Sequence, residues 1–369
     1  MKITSVDIWT VIVPTLPGRV NSPQWVPKTG WDEMPKHVVR LNTDTEFIGI
    51  GESARTVPIE QVRQGARQLL GKNPETLTLQ NIYESRTDGT EEGLTVGQGP
   101  AYETFEIAVF DLVGRLQKRP VHALLGGAVR DRVRADYWMG SQTPEDGQRT
   151  VERGLKMGFK GIKIKCTIEE PMFERLKAIC EVAGPEFKVT VDPNERFRTA
   201  EQTIALAHRL EVLDNVEVFE DPIPKTDLEG YIQIHEAIKQ PLAMHLGDGA
   251  SILRGVQAGV LDCVNLGGGL VGFGRNATVA AASGLRCWHG SGVDLGIMET
   301  SFLHTASTVP NCTMASDFVG TWVREDDLVL EPLTFQEGFT PVPMKPGLGC
   351  ELDVKALERY ATAHETVRP

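Results

Sequence analysis

The chain has 369 residues, of which 41% are hydrophobic and 24% charged; this is typical of a soluble globular protein and is enough for a barrel plus a second domain. The formal net charge of −12 argues against nucleic acid or an anionic membrane as a partner, because both require a basic surface. The six cysteines lack zinc-site or disulfide-framework spacing, and no apolar run reaches the roughly 20 residues of a membrane helix. We therefore expect a cytoplasmic protein in a reducing compartment.

The N-terminal part of the chain alternates between apolar and polar residues, which predicts an antiparallel β meander with strands over 3–13, 37–41 and 47–52. A long segment rich in Gly and Pro, 14–36, separates the first two strands. A loop of that length in a compact domain is usually a lid or disordered. If it is a lid, Arg19, Trp25 and Lys28 are candidates for binding the far end of a substrate.

From residue 58 to 117 the apolar period becomes helical, and from Val133 strands and helices alternate. The predicted strands are 134–139, 161–165, 188–192, 216–220, 242–246, 262–266, 286–289 and 312–316. Predicted helices between them include 174–182, 200–210, 228–239, 274–282 and 295–307. Seven or eight such units favour a closed parallel barrel over an open sheet, with chemistry at the C-terminal ends of the strands.

Three acids, Asp192, Glu220 and Asp248, follow three successive apolar runs at intervals of 28 residues. That interval is about one strand-helix unit, so the acids are expected at the ends of neighbouring parallel strands. Lys163 and Lys165 lie one unit upstream and point the same way, because side chains alternate along a strand. Clustered carboxylates repel one another unless a cation neutralises them, and hard oxygen ligands suit Mg²⁺ or Mn²⁺. The alternative is that each acid simply caps the helix that follows its strand.

Several motifs in order along the chain carry a family resemblance. They are the segments 49–52 (GIGE), 101–103 (AYE), 110–114 (FDLVG), 124–127 (LLGG), 163–165 (KIK), 191–194 (VDPN), 219–222 (FEDP) and 346–349 (PGLG). With these motifs the chain resembles the enolase superfamily, in its mandelate racemase and muconate-lactonizing branch. The resemblance implies an α/β fold, a (β/α)7β TIM-like barrel with an N-terminal α+β capping domain. We place the capping domain and its specificity loop at 1–130, the barrel at 131–330, and a C-terminal segment that returns to the cap at 331–369.

The resemblance also implies a site. Asp192, Glu220 and Asp248 would bind one Mg²⁺, with Mn²⁺ as the alternative, and Lys165 would be the base. Lys163 would hold a substrate carboxylate, and its ammonium group would favour the neutral form of Lys165. The partner would be a small carboxylate substrate, and the protein would be a homo-oligomer.

The second half of the site departs from the family. The lysine that the muconate branch keeps at the end of strand six is absent, because Asn265 and Leu266 are followed by three glycines. His289 is our candidate for a second acid or base, with Cys287 as the alternative. The remaining candidates are Asp317 after strand eight, Asn194 as a substrate contact, and His245, which would face inward or serve as a third ligand if its strand is shifted.

We therefore predict Mg²⁺-dependent abstraction of the proton alpha to a carboxylate, through an ene-diolate, followed by dehydration of a hydroxy or sugar acid. A single base suffices for that elimination. The alternatives in the same family are a racemase or epimerase, which needs groups on both faces of the alpha carbon, and a lactone cycloisomerase. From other classes, a small-acid binding barrel without catalysis is an alternative, as is a metal-dependent hydrolase. The hydrolase is disfavoured because the first strand lacks a His-x-His motif.

Overall fold

A computed structural model describes residues 1–25, 32–77 and 101–369. Within these ranges the chain forms a four-stranded antiparallel sheet, a seven-stranded parallel sheet and a two-stranded ribbon. The ribbon pairs β4 (Arg132–Arg134) with β12 (Phe339–Pro341). Lys28 lies outside the described residues.

The antiparallel sheet has the order β13-β1-β2-β3, so that the C-terminal end of the chain pairs with the first strand. Its strands are β1 (Ile3–Pro14), β2 (Glu33–Thr43), β3 (Ile48–Glu52) and β13 (Ala361–Val367). Two helices, α1 (Ile59–Leu69) and α2 (Tyr102–Leu116), contribute to the same apolar core as β1 and β2. The predicted meander is present, although β2 begins four residues earlier than expected.

The parallel sheet is curled and has sequential strand order, as expected for repeated strand-helix units. Its strands are β5 (Tyr137–Met139), β6 (Gly161–Lys165), β7 (Lys188–Asp192), β8 (Val216–Glu220), β9 (Leu242–Leu246), β10 (Cys263–Leu266) and β11 (Arg286–His289). The helices that follow them are α4 (Pro144–Lys156), α5 (Met172–Ala183), α6 (Ala200–Leu210), α7 (Leu228–Ala237), α8 (Gly249–Ala258), α9 (Gly269–Ala282) and α10 (Gly296–Thr308). Short helices α3 (Val121–Leu124) and α11 (Val354–Tyr360) lie outside this repeat.

The prediction of a regular eighth strand over 312–316 is wrong. The segment makes one parallel bridge to β11, between Cys287 and Cys312, and another between Ala135 and Ser316. Thr313 N donates to the Asn311 carbonyl at 3.0 Å, which is a turn and not a ladder contact. The segment therefore has hydrogen bonds with both edges of the sheet but forms no continuous strand.

A small apolar layer lies on the inner face of the parallel sheet, on the N-terminal side of the polar residues described next. It is formed by Val218, Ala243, Cys263, Trp288 and Met314. Because side chains alternate along a strand, the residues two positions further on face the same interior, closer to the C-terminal ends. On β8, β9 and β10 those residues are Glu220, His245 and Asn265.

Two buried glutamates of the N-terminal elements cap helices that surround the parallel sheet. Glu52 of β3 accepts hydrogen bonds from Leu295 N at 2.8 Å and Met298 N at 2.9 Å, at the start of α10. Glu106 of α2 accepts one from Leu270 N at 2.8 Å, at the start of α9. Neither helix has a side-chain cap of its own, so the carboxylates satisfy free N–H groups and complement the helix dipole.

Gly51 of β3 lies so close to α2 that a side chain should not fit. A β-carbon at Gly51 would lie 2.1 Å from the Thr104 carbonyl oxygen. We expect Gly51→Ala to lower the free energy of unfolding by about 1–3 kcal/mol, because sheet and helix must move apart. Chemical denaturation measures this change. The control Gly272→Ala on α9 meets nothing within 4 Å and should not destabilise; equal losses in both variants would contradict the close-packing explanation.

Candidate active site

Three neighbouring strands bring two amines and two carboxylates together at the C-terminal end of the sheet interior. β6 carries Lys163 and Lys165 on its inner face, β7 ends at Asp192 and β8 ends at Glu220. Lys165 and Asp192 are direct partners in the register of β6 and β7. The alternation that predicted this grouping is thus found in the structure.

The ammonium group of Lys163 lies among three carboxylates. Its Nζ is 3.0 Å from Asp192 Oδ2, 2.7 Å from Glu220 Oε2 and 2.5 Å from Asp317 Oδ2. Asp317 follows the bridging segment 312–316, so the predicted carboxyl group does reach the cluster. Burial by itself disfavours the charged amine, but the three carboxylates outweigh it and raise the pKa of Lys163 well above its usual value. Lys163 is therefore a fixed cation.

Lys165 is the more accessible of the two amines. Its side chain is 13% exposed, against 2% for Lys163, and its Nζ contacts Asp192 Oδ2. Of the two lysines, therefore, Lys165 is the one that a substrate entering from the C-terminal end can touch.

The two carboxylates of β7 and β8 differ in their electrostatics. Burial disfavours the Asp192 anion, yet the contacts with Lys165 and Lys163 dominate and hold its pKa below the usual range. Burial, together with the nearby Asp192 charge, raises the pKa of Glu220 to about 8. Asp192 is therefore firmly ionised, whereas a further cation would favour ionisation of Glu220.

Asn265 belongs to this cluster, and our prediction missed it. Its Nδ2 donates to Glu220 Oε1 at 2.7 Å, and its side chain is fully buried. It occupies the end of β10, where the muconate branch would have a lysine. The signal was present in the sequence, because Asn265 is the inward position of β10, but its partner lies 45 residues away.

The structure does not bring Asp248 into this cluster, contrary to our expectation. Asp248 is the N-cap of α8, and its two oxygens accept hydrogen bonds from Ser251 N at 2.8 Å and Ser251 Oγ at 2.7 Å. The reason is local: Asp248 lies two residues beyond the end of β9, and an aspartate there satisfies the free N–H groups of the helix.

His245 occupies the inward position near the end of β9 instead. Its register partner is Asn265, and it is half-buried, so that its ring faces the open end of the interior. Burial, reinforced by the nearby Lys163 and Lys165 charges, lowers the pKa of His245 to about 3. The imidazole is therefore neutral near pH 7.

The structure does not bring His289 to Lys165 either. Its ring is stacked between Phe273 of α9 and Phe302 of α10, with ring centroids 4.5 Å and 4.0 Å apart, and Nδ1 is 2.6 Å from the Gly290 carbonyl oxygen. Trp288 takes the inward position, so alternation turns His289 outward. Cys287 is also buried outside the cluster, beside Cys312. Neither residue is placed to act as a second acid or base.

Among the predicted substrate contacts, Asn194 and the segment with Arg19 lie next to loops that follow strands of the parallel sheet. Asn194 is exposed, and its backbone N donates to Asp192 Oδ1 at 2.9 Å. The Arg19 carbonyl accepts a hydrogen bond from Gln142 Nε2 at 3.1 Å, which fixes this segment against the loop after β5. Trp25 is half-buried, and its backbone N donates to the Ser22 carbonyl at 2.9 Å. Contact of these residues with a substrate stays a prediction.

The residues of the site fit a divalent cation in part. Asp192 and Glu220 are the hard oxygen donors that such an ion requires. Glu220 Oε2 is buried and accepts no hydrogen bond of good geometry, although Lys163 is close. Within residues 1–25, 32–77 and 101–369, however, no three Asp, Glu, His or Cys side chains stand ready as a ligand set. The third predicted ligand, Asp248, caps α8 in this structure.

A buried arginine holds the backbone beneath the candidate base. Arg175 of α5 donates to the carbonyl oxygens of Lys165 at 3.0 Å and Gly140 at 2.5 Å, and to Glu170 Oε2 at 2.8 Å. It thereby connects the ends of β5 and β6. Sequence reasoning missed this residue, because an arginine on an amphipathic helix resembles any solvated one.

Replacing Arg175 with lysine should be destabilising although charge is kept. A lysine lacks the planar fork that serves three acceptors at once, so buried acceptors lose their partners. We expect the free energy of unfolding to fall by about 1–3 kcal/mol in a denaturant titration. The matched control is Arg209→Lys on the exposed surface of α6, which should stay within about 0.5 kcal/mol of the parent protein. No difference between the two variants would refute the assigned role.

Comparison with known proteins shows the family of the chain. Residues 146–356, more than half of the chain, match the family model described as Enolase C-terminal domain-like. The chain is 25% identical to a chloromuconate cycloisomerase of Cupriavidus pinatubonensis, over 88% of this chain and 91% of the relative. It is 27% identical to an arabinonate dehydratase of Saccharolobus solfataricus, over 90% and 92%. The crystal structure of an N-succinyl Arg/Lys racemase from Bacillus cereus superposes with a TM-score of 0.84 at 22% identity, covering all of both chains.

The protein belongs to the enolase superfamily, in the mandelate racemase and muconate-lactonizing branch. The recognition made from the motifs is thus confirmed. The relatives are racemases, cycloisomerases and a dehydratase, so they support an enzyme without deciding between a lyase and an isomerase. Across the described ranges, no helix combines the length and apolar character needed to span a membrane.

Proposed function

We propose that this protein is an enzyme that removes the proton alpha to the carboxylate of a small acid, with Lys165 as the base, and then eliminates water. The observation that carries the proposal is the geometry of β6. Lys165 is the amine with access to the open end, while Lys163 is buried as an ammonium group among carboxylates. Lys165, which among the described residues is paired with Asp192 alone, is thus the lysine that can exchange protons with a substrate, and Lys163 serves as a fixed positive charge.

Asp192 and Glu220 would hold a divalent ion, with Mg²⁺ expected from the family, and a bound ion stabilises the negative charge that develops on a substrate carboxylate. Asn265 orients Glu220 through its hydrogen bond. Lys163 adds a positive charge on the same side. Removal of an alpha proton generates a second negative charge on the substrate, so this concentration of cations supports the proposed chemistry.

The proton transfers balance with a single base. The neutral amine of Lys165 takes the alpha proton as the alpha C–H bond breaks. The carbon–oxygen bond at the beta carbon then breaks, and the leaving hydroxide accepts the proton from Lys165 to form water. If the alpha carbon carries a hydroxyl group, the product is an enol, which becomes a 2-oxo acid when the beta carbon takes a proton from solvent and the hydroxyl group releases its own.

The side chains across the sheet interior from Lys165 favour elimination over racemisation. Racemisation needs a titratable group on each face of the alpha carbon. In the parts of the chain that the structure describes, the end of β10 offers the amide of Asn265, and His289 faces away from the interior. Cycloisomerisation also runs with one base, so it is the second candidate.

Other parts of the proposal concern the protein around the site. We propose the division into a capping domain (1–130), a barrel domain (131–330) and a C-terminal segment (331–369). We also propose that the protein is a cytoplasmic homo-oligomer and that its substrates are hydroxy or sugar acids. The segment with Arg19 and Trp25, and also Asn194, would contact the substrate beyond its carboxylate.

Solvent exchange at the alpha carbon tests the proposal. The protein is incubated in D₂O with Mg²⁺ or Mn²⁺ and with a panel of aldonic, aldaric and imino acids, and products are followed by NMR and mass spectrometry. We expect deuterium at the alpha carbon of one acid without inversion, together with a 2-oxo acid that has lost one water. Inversion would indicate a racemase, a lactone product a cycloisomerase, and no exchange with any acid a binding protein.

A further inference from the structure

We propose that the third protein ligand of the divalent ion is His245, so that the centre has two carboxylates and one imidazole and binds divalent transition ions such as Co²⁺ and Mn²⁺ in preference to Mg²⁺. The inference rests on the proposed function only in taking Asp192 and Glu220 as ligands of a cation. It concerns the identity of the ion and not the reaction.

The first argument is the position of the strand. β9 ends at Leu246, and its inward residues are Ala243, in the apolar layer, and His245. Asp192 and Glu220 are themselves the last residues of β7 and β8. The register partner of Glu220 on β9 is Ala243, and His245 is the next inward side chain towards the C-terminal end. Asp248 caps the next helix, with both oxygens hydrogen-bonded to Ser251.

The second argument is the surroundings of His245. Its register partner Asn265 donates to Glu220 Oε1, so that the imidazole lies beside a residue that orients a candidate ligand. Within the described ranges its ring nitrogens make no hydrogen bond, although its backbone N donates to Asp221 Oδ1 at 3.0 Å.

The third argument is the buried oxygen of Glu220 that has no well-oriented hydrogen bond. Glu220 is fully buried, and its Oε2 lies 2.7 Å from Lys163 Nζ without a hydrogen bond of good geometry. A divalent ion that replaces this ammonium contact could be shared by Glu220 and the imidazole of the neighbouring strand. Within the described ranges the three side chains do not already form a ligand set, so the ion would have to draw them together.

Ligand chemistry then decides between ions. Mg²⁺ requires oxygen ligands and binds imidazole poorly, whereas imidazole suits the divalent transition metals. Because Co²⁺ binds most mixed sites more tightly than Mg²⁺ in any case, the affinity ratio of one protein is not diagnostic. The diagnostic quantity is the change of that ratio when the imidazole is replaced by a carboxylate.

The experiment measures metal affinity without substrate. The protein, freed of metal with EDTA, is titrated with Co²⁺ and with Mg²⁺ by calorimetry, and the visible absorption of bound Co²⁺ is recorded. We expect His245→Asp to lower the Co²⁺/Mg²⁺ affinity ratio at least about 10-fold and to change the Co²⁺ spectrum, and His245→Ala to weaken Co²⁺ binding by about 100-fold. Thermal melts of both variants check that they are folded.

Two control variants separate this inference from its alternatives. Asp248→Asn, which replaces the helix cap, should leave both affinities within about twofold of the parent, as expected for a residue that does not ligate. Lys165→Ala should keep the Co²⁺/Mg²⁺ ratio while losing exchange activity. Loss of metal binding in Asp248→Asn, an unchanged ratio in His245→Asp, or no metal binding by the parent protein would each overturn the assignment. Metal binding with this ratio but no exchange with any acid would refute the proposed function and leave the ligand assignment intact.

Discussion

Lys165→Ala should abolish deuterium exchange at the alpha carbon, with a rate at least about 1,000-fold below that of the parent protein. The alpha proton of a carboxylate is very weakly acidic, and no other accessible amine lies on the inner face of β6. Lys163 does not substitute for Lys165, because its ammonium group is held by three carboxylates. The measurement is the initial exchange rate by NMR on whichever acid the panel identifies.

The matched control for this loss is Lys160→Ala, an exposed lysine just before β6. It removes the same functional group from the same part of the chain and should leave exchange unchanged. Lys165→Ala should also remain folded, because Asp192 keeps its 3.0 Å contact with Lys163. Exchange at the parental rate in a folded Lys165→Ala protein would contradict the assignment of the base.

Lys163→Met should be the most destabilising change in the site. It leaves Asp192, Glu220 and Asp317 without the ammonium group that all three contact. Removing one partner from a buried ionic cluster typically costs about 3–5 kcal/mol, because the remaining charges are desolvated and repel. Denaturant unfolding of metal-free protein measures the loss, with Lys160→Met as the control on an exposed lysine.

A second substitution tests the cause of that loss. Asp317→Asn removes one of the carboxylates that Lys163 neutralises, so the double variant Lys163→Met/Asp317→Asn should recover part of the lost stability. A non-additive recovery of about 1 kcal/mol or more would show that the two residues act as a pair. A Lys163→Met protein as stable as the parent would argue that water, rather than the lysine, satisfies these carboxylates.

The inner positions of the central strands could be predicted from the sequence because they depend on local chain geometry. Alternation with a period of two placed Lys163 and Lys165 on one face. The regular length of the units placed Asp192 and Glu220 at neighbouring strand ends. These properties need no knowledge of distant contacts. The family was recognised separately, from the order of short motifs along the chain, and the comparisons confirm it.

Asp248 and His289 could not be placed in this way. An aspartate after a strand can ligate a cation or cap the next helix, and the choice depends on where β9 stops, which is at Leu246. For His289 the deciding factor was which face of β11 its side chain occupies. A shift of one residue along β11 reverses the face of every side chain, and Trp288 took the inward position.

The sequence by itself determined the class of fold, the two lysines and the two carboxylates of the central strands, because each follows from periodicity along a short stretch of chain. Only the tertiary structure decided which partners those groups meet. Lys163 meets Asp317, 154 residues away, and Asn265 meets Glu220, 45 residues away. Such contacts depend on how the sheet curls and on which strand neighbours which, and one sequence does not encode them in any local pattern.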